Sequence, residues 1–212
     1  MTTVGGLIVC GGRSTRMGRP KATLPFGDEE MLQRVVRILG SVVNPLVVVA
    51  APEQELPELP DAVTVAHDEE WGRGPLQGLA AGLAALEGRV DTAFASSCDV
   101  PFLQPAFVRR MIDLLGDHAI CVPRTAGYHH PLAAVYRTGV LGAVRDLLAA
   151  DLLRPVFLFD KVPTRVVEAA ELTDVDPTFQ SLRNLNTPED YEQALRDAGF
   201  THGGTAAPDR GV

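Results

Sequence analysis

"PLVVVAA", residues 45 to 51, contains no polar position. Successive side chains of a strand face opposite sides, so a half-exposed strand alternates apolar with polar. A run that stays apolar and β-branched needs cover on both faces. Helices packed on both sides of a parallel sheet provide it. The rest of the chain repeats the theme. Leu7 to Cys10 forms a short apolar run ending at Gly11-Gly12, and further strands are expected at 62–66, 92–97, 119–123, 131–136 and 155–159. Between them lie helical spacings. Met31, Leu32, Val35, Val36, Ile38 and Leu39 recur on one face and stop at Gly40. Pro75 opens a helix whose face is Leu76, Leu79, Leu83 and Leu86. Pro105 opens another, with Phe107, Val108, Met111, Ile112, Leu114 and Leu115 inward, and helices are also expected over 139–150 and 188–198. Alternating strand and helix predicts an α/β fold with a mainly parallel sheet. Residues 1–200 read as a single domain, and 201–212, "THGGTAAPDRGV", as a disordered tail.

Charge narrows the partners. The net charge is -8 over 212 residues. Nucleic-acid binding wants a broad basic face, so a nucleic-acid partner is not expected. No apolar run approaches twenty residues, and the N-terminus lacks the pattern of a secretory signal, so a membrane partner is not expected either. Cys10, Cys98 and Cys121 are widely spaced and odd in number, which suits reduced thiols in the cytoplasm.

Against that acidic background, "GLIVCGGRSTRMGRPK" (6–21) gathers Arg13, Arg16, Arg19 and Lys21 with no acid among them. The segment follows a strand, and ligands of open α/β sheets lie beyond the carboxyl ends of strands. Gly11, Gly12 and Gly18 let the backbone approach a phosphate, and the cations neutralise it. A solvated basic surface loop is the plainer reading. The pattern G-x-x-x-x-G-K-[ST] is absent, because Ala22 follows Lys21, and G-x-G-x-x-G is absent too. This is a phosphate loop of another kind.

Other segments carry candidates. Asp99 follows a strand and precedes Val100-Pro101, where a hard carboxylate suits Mg²⁺ and where it could instead cap the helix at Pro105. Asp68 sits in the loop after the third strand, beside Glu69 and Glu70, so a solvated charge run is the alternative to a ligand contact. Gly74, Gly78 and Gly82 are four apart and form a smooth stripe, expected to admit a ligand at Gly74 and Gly78 and to pack at Gly82. Adjacent His129 and His130 do not match zinc spacings. In "NLNTPED", Asn184 and Asn186 point the same way if extended and could share a ligand or metal shell, while Thr187-Pro188 reads as a helix cap and first turn.

Taken in order, "VCGGRSTRMGRPK", "GPLQGL" (74–79), "CDVPFL" (98–103), "HPLAAVY" (130–136) and "LNTPEDY" (185–191) resemble the motifs of molybdenum cofactor guanylyltransferases of the MobA type, over roughly residues 6 to 198. Cys10 stands where that family usually has Ala, and Gln77 where it often has Ala. The resemblance implies a Rossmann-like three-layer α/β/α sandwich of the nucleotide-diphospho-sugar transferase type. It implies transfer of GMP from GTP to the terminal phosphate of molybdopterin, with release of pyrophosphate and Mg²⁺ as cofactor. Arg16 and Lys21 would hold the β- and γ-phosphates, with Asp99 as metal ligand and third catalytic residue. Val9, Cys10, Gly11, Gly12, Asp68, Gly74 and Gly78 would line the nucleotide, with the backbone of Val9 to Gly12 reading the guanine edge. His130, Asn184 and Asn186 would lie on the molybdopterin side. Cofactor-biosynthesis proteins and apo-molybdoenzymes are the implied protein partners. The rival expectations are a CTP-dependent molybdopterin cytidylyltransferase, a sugar-phosphate nucleotidyltransferase, and a nucleotide sensor without turnover.

Overall fold

The computed structural model describes residues 3–10, 20–68, 70 and 72–200. Its central sheet has eight strands: β1 (Val4–Val9), β4 (Leu46–Ala50), β5 (Val63–His67), β6 (Thr92–Ser97), β7 (Ile120–Thr125), β8 (Tyr128–His129), β9 (Ala133–Arg137) and β10 (Thr164–Glu168). The order is β10-β7-β9-β6-β1-β4-β5, with β8 paired to β7. β1 lies parallel to both β4 and β6, β4 to β5, and β10 to β7. β9 runs antiparallel between β6 and β7. All five residues of β4 are buried, as the "LVVVA" run demands.

The helices divide between the two faces, and the strands alternate accordingly. α1 (Met31–Gly40) and α3 (Pro105–Asp113) cover the face that carries Ile8, Cys10, Val48, Phe94, Cys121 and Val135. α2 (Pro75–Leu86) and α4 (Leu141–Ala149) cover the face that carries Leu7, Val9, Val47, Val49, Ala95 and Tyr136. Consecutive residues of β1 and β4 thus enter opposite cores, and a one-residue slip would exchange the whole set. This is the expected α/β/α sandwich. A smaller third core holds α6 (Pro188–Asp197) against a two-stranded hairpin, β2 (Pro25–Phe26) and β3 (Glu29–Glu30), through Leu24, Phe26, Met31, Leu185 and Leu195. That hairpin has no counterpart among the strands expected from the sequence. Among the described residues no helix is long and apolar enough to cross a membrane.

One expected strand is overturned. Residues 155–159 form α5 (Val156–Phe159), a short helical turn. Pro155 accepts the first backbone bond of that turn from Leu158 at 3.0 Å, and only Leu158 is fully buried. A five-residue apolar run fits either structure, and here one-sided contact with the α2–α4 core selects the helix. The sheet position is taken instead by β10, "TRVVE", whose Val167 enters one core and Val166 borders the other. Its polar residues at both ends hide it from a search for apolar runs. Cys121 is the second residue of β7.

The glycine stripe on α2 is a packing device. A Cβ at Gly78 would stand 2.7 Å from Val9 Cγ1, and one at Gly82 3.0 Å from Leu7 Cβ. The helix therefore lies closer to β1 than a side chain would permit. Gly78→Ala should destabilise, because overpacking against a stiff β-branched residue costs about 1–3 kcal/mol while the gain in helix propensity is about 1 kcal/mol. A melting temperature lowered by a few degrees is expected. Gly142→Ala in α4, where a Cβ meets nothing within 4 Å, should leave it unchanged or raise it. Thermal denaturation of both variants checks the contrast.

Candidate active site

Three distant segments meet at the carboxyl end of β6. Lys21 opens a short 3₁₀ turn, Lys21–Thr23, anchored by buried Ala22. Its Nζ donates to Asp99 Oδ2 at 2.7 Å and to Asn186 Oδ1 at 3.0 Å. The second oxygen of Asp99, Oδ1, accepts from Ser97 Oγ at 2.6 Å and from Asn184 Nδ2 at 2.7 Å. The extended segment holding the two asparagines is pinned to Asp99 itself, since Leu185 N–H donates to the Asp99 carbonyl at 3.0 Å. Successive residues of an extended segment face opposite ways. Leu185 accordingly points into the third core, while Asn184 and Asn186 both reach the Lys21–Asp99 pair.

Asp99 is no helix cap. The residue capping α3 is Gln104, and the carboxylate of Asp99 is occupied by the site. The side chains of Lys21 and Asp99 are 20% and 10% exposed, so the pair sits at the mouth of the site. At the other end of the asparagine segment the cap reading holds as well. Thr187 caps α6, accepting from Asp190 N at 3.1 Å, with Pro188 next.

Asp68 lies beyond the ends of β4 and β5, and its N–H bonds to Ala50 O at 2.9 Å. The solvated alternative fails, because the residue is buried. Burial pushes its carboxyl above the ordinary range, against hydrogen bonds from the Glu70 N–H and the Gln77 side chain. Gln77, the departure from the family pattern, thus lies close enough to Asp68 to offset part of that shift. Cys10 also resolves differently from expectation. Its side chain enters the α1–α3 core, and its thiol is pushed well above the usual range by the Cys98 thiol beside it and by burial. Burial pushes Cys121 up to about 12.

Backbone reading of a base by Val9 and Cys10 meets a physical obstacle. Cys10 N–H donates to Val49 O at 2.8 Å, Cys10 C=O accepts from Gln54 Nε2 at 3.1 Å, and Val9 C=O accepts from Cys98 N at 3.2 Å. These groups already have protein partners. Gly11, Gly12, Arg13, Arg16, Gly18 and Arg19 lie outside the described residues. Gly74 caps α2 with φ +80°, a conformation that favours glycine, and a Cβ added there would meet only Leu153 O, at 4.0 Å. Gly78, in contrast, faces Val9 rather than open space.

Beside Asp99 lies a cavity of about 240 Å³, lined by Pro75, Val100, His129, His130, Leu182 and Asn184. His130 Nε2 lies 2.7 Å from Thr125 Oγ1. Burial, and His129 next to it, hold the imidazole below the ordinary range, so it is neutral at pH 7. The His129 ring packs 5.3 Å from Phe159. Asn184 joins the two regions, with its amide on Asp99 and its side chain in the cavity wall. Asn186 sits on Lys21 instead. Ser97, Gln54 and Thr125 are site residues that the sequence alone does not single out. Only Ser97 carries a signal, as a hydroxyl two residues before Asp99 in a strand that ends at the site.

Comparison with known proteins identifies the family. A family model, the MobA-like NTP transferase domain, matches residues 6–163. A Mycobacterium tuberculosis protein named "Probable molybdenum cofactor guanylyltransferase" is 39% identical over 186 residues, covering 79% of this chain and 90% of its own. A protein of the same name from Pelotomaculum thermopropionicum is 32% identical over 193 residues, covering 89% and 90%. In fold, the molybdopterin-guanine dinucleotide biosynthesis protein A of Archaeoglobus fulgidus superposes with a TM-score of 0.76 at 17% identity, over 92% of this chain and 98% of the other. An α/β/α sandwich with its polar cluster at the strand ends, matched in sequence along most of its length, belongs to the MobA-like NTP transferase family.

Proposed function

We propose that the chain transfers GMP from GTP to the terminal phosphate of molybdenum-molybdopterin, releasing pyrophosphate and giving the guanine dinucleotide form of the cofactor. The observation that carries this reading is the convergence of Lys21, Asp99, Asn184 and Asn186 at the rim of a cavity. In the reaction an oxygen of the acceptor phosphate bonds to the α-phosphorus, and the bond from that phosphorus to the bridging oxygen of pyrophosphate breaks. A phosphate monoester has a second pKa of about 6, so the nucleophile is already ionised at neutral pH and needs no general base. The demand on the protein is to align two polyanions and neutralise charge as pyrophosphate leaves.

Lys21 supplies a mobile positive charge for the triphosphate. In the structure that charge is held by Asp99 Oδ2 and Asn186 Oδ1, two hard oxygens converging on one cation. The same oxygens suit Mg²⁺, which binds through one or two carboxylates together with substrate phosphates and water. Among the described residues no three His, Cys, Asp or Glu side chains group to hold a metal by themselves, which fits that shared mode. When bound at Asp99, Mg²⁺ would neutralise phosphate oxygens and help orient the leaving group. The 240 Å³ cavity offers the acceptor a wall with neutral His130 and the amide of Asn184. Asp68, buried beyond the ends of β4 and β5, would contact the nucleotide in this reading. Buried reduced thiols suit action in the cytoplasm.

The test is kcat/KM for GTP and for CTP with molybdopterin and Mg²⁺. Each donor or acceptor left unpaired by the wrong base costs about 1–3 kcal/mol, so two should favour GTP by about 10²-fold or more. Because the Cys10 side chain faces the core, Cys10→Ala should leave that ratio unchanged. CTP used as well as GTP would replace this reading with a cytidylyltransferase, and binding of GTP without pyrophosphate release would replace it with a sensor.

A further inference from the structure

The hydroxyl of Ser97 has one proton and, among the described residues, two hydrogen-bonding neighbours. Asp99 Oδ1 lies 2.6 Å away and, as a carboxylate oxygen, only accepts. Asn184 Nδ2 lies 3.0 Å away and only donates. The orientation of the hydroxyl is therefore determined, with its proton on Asp99 and a lone pair toward Asn184. Asn184 Nδ2 also reaches Asp99 Oδ1 at 2.7 Å, which closes a three-membered ring of hydrogen bonds. Every one of these bonds ends on the same carboxylate oxygen or on the hydroxyl beside it. The other oxygen, Oδ2, is left to a cation, at present the ammonium of Lys21.

The two halves of Asp99 are thus held by different parts of the molecule. Ser97 is the last residue of β6, in register with Val9 of β1 near the centre of the sheet, and is buried. Lys21 comes from a 3₁₀ turn after the phosphate loop. If Lys21 moves to a triphosphate, the contact on Oδ2 is lost and those on Oδ1 remain. We propose that Ser97 is a positioning residue, whose hydroxyl fixes Asp99 Oδ1 so that Oδ2 stays aimed at the divalent cation and triphosphate. The proposal rests on Asp99 as the metal-bearing carboxylate.

The test measures Mn²⁺ binding in the presence of GTP, by the loss of the free-ion electron paramagnetic resonance signal, and the Mg²⁺ dependence of pyrophosphate release. Groups that orient a metal ligand are worth about 10–100-fold in metal affinity. Ser97→Ala should weaken Mn²⁺ binding about 10-fold and raise the half-saturating Mg²⁺ by a similar factor, while kcat at saturating Mg²⁺ falls much less. Ser96→Ala is the control. Ser96 is also buried in the same strand, but among the described residues its hydroxyl donates to Ser97 O at 3.2 Å and not to Asp99. It should bind Mn²⁺ as the parent does. Parent-like metal binding in Ser97→Ala, or an equal loss in Ser96→Ala, overturns the positioning role while Asp99 stays the ligand. Mn²⁺ binding that survives Asp99→Ala overturns the metal reading of Asp99, and the role of Ser97 with it.

Discussion

Asp99→Asn is expected to lower turnover by about 10³-fold, with the protein still folded and the melting temperature lowered. The substitution keeps size and shape, and the side-chain oxygen can still accept from Ser97 and Asn184. It removes the negative charge, and it sets an amide nitrogen, which only donates, against the Lys21 ammonium in place of Oδ2. Losing a single preorganised electrostatic group in such a site costs about 10²–10³-fold, and here Asp99 both anchors Lys21 and offers the hard oxygen for Mg²⁺. The protein should stay folded because Ser97 and Asn184 keep their acceptor, but Asp99 is buried, and loss of its partly buried pair with Lys21 has a cost in stability. Pyrophosphate release at saturating GTP and Mg²⁺, together with thermal denaturation, decides the matter. Near-parental turnover would remove Asp99 from the mechanism, and loss of the folded state would make it a structural residue.

Lys21→Ala should cost about 10²-fold or more in turnover. Nothing else among the described residues places a cation against Asp99. Lys21→Arg should recover only part of the loss, since a planar fork replaces a compact charge at a position where Asp99 and Asn186 already converge on one nitrogen. The pair makes a sharper test than either residue alone. Groups that work as one unit give strongly non-additive losses. The double variant Lys21→Ala/Asp99→Asn should therefore be little slower than the worse single one. Fully multiplicative losses in steady-state kinetics would show that the two residues act separately.

The layered fold is legible because burial writes itself into residue type. β4 is apolar at every position because both its faces are covered, and the leucine spacing of α2 marks its face on the sheet. Legibility fails where that signal is weak. α5 and β10 are four- and five-residue elements at the margin of the sheet, one apolar throughout and the other half polar. Periodicity cannot separate helix from strand over so few residues. At the site, residue types announce Lys21, Asp99 and the two asparagines, since charge and amides at strand ends are costly to bury without purpose. Their mutual contacts cannot be read, because they span 78 and 165 positions of sequence. Ser97 escapes for a related reason. A serine is ordinary at the end of a strand, and its value comes from what a distant asparagine brings to it. Gln77 is visible only as a departure, and its nearness to the buried Asp68 carboxyl gives that departure a physical sense.

The long span between Lys21 and Asn186 has a consequence during synthesis. A chain leaving the ribosome presents its N-terminal part first, and folding can begin before the rest arrives. By the time Asp99 has emerged, β1, β4 and β6 are available to pair and Lys21 can meet its carboxylate. Asn184 and Asn186 come some 85 residues later, carried by a segment that docks only when Leu185 and α6 join the third core. Until then the carboxylate lacks the asparagine that completes its ring of hydrogen bonds, and Lys21 lacks its second acceptor. A nascent or prematurely terminated chain would hold the Lys21–Asp99 pair without the asparagines that complete its hydrogen bonds. Docking of the last described helix is thus the step that completes the polar cluster around Asp99.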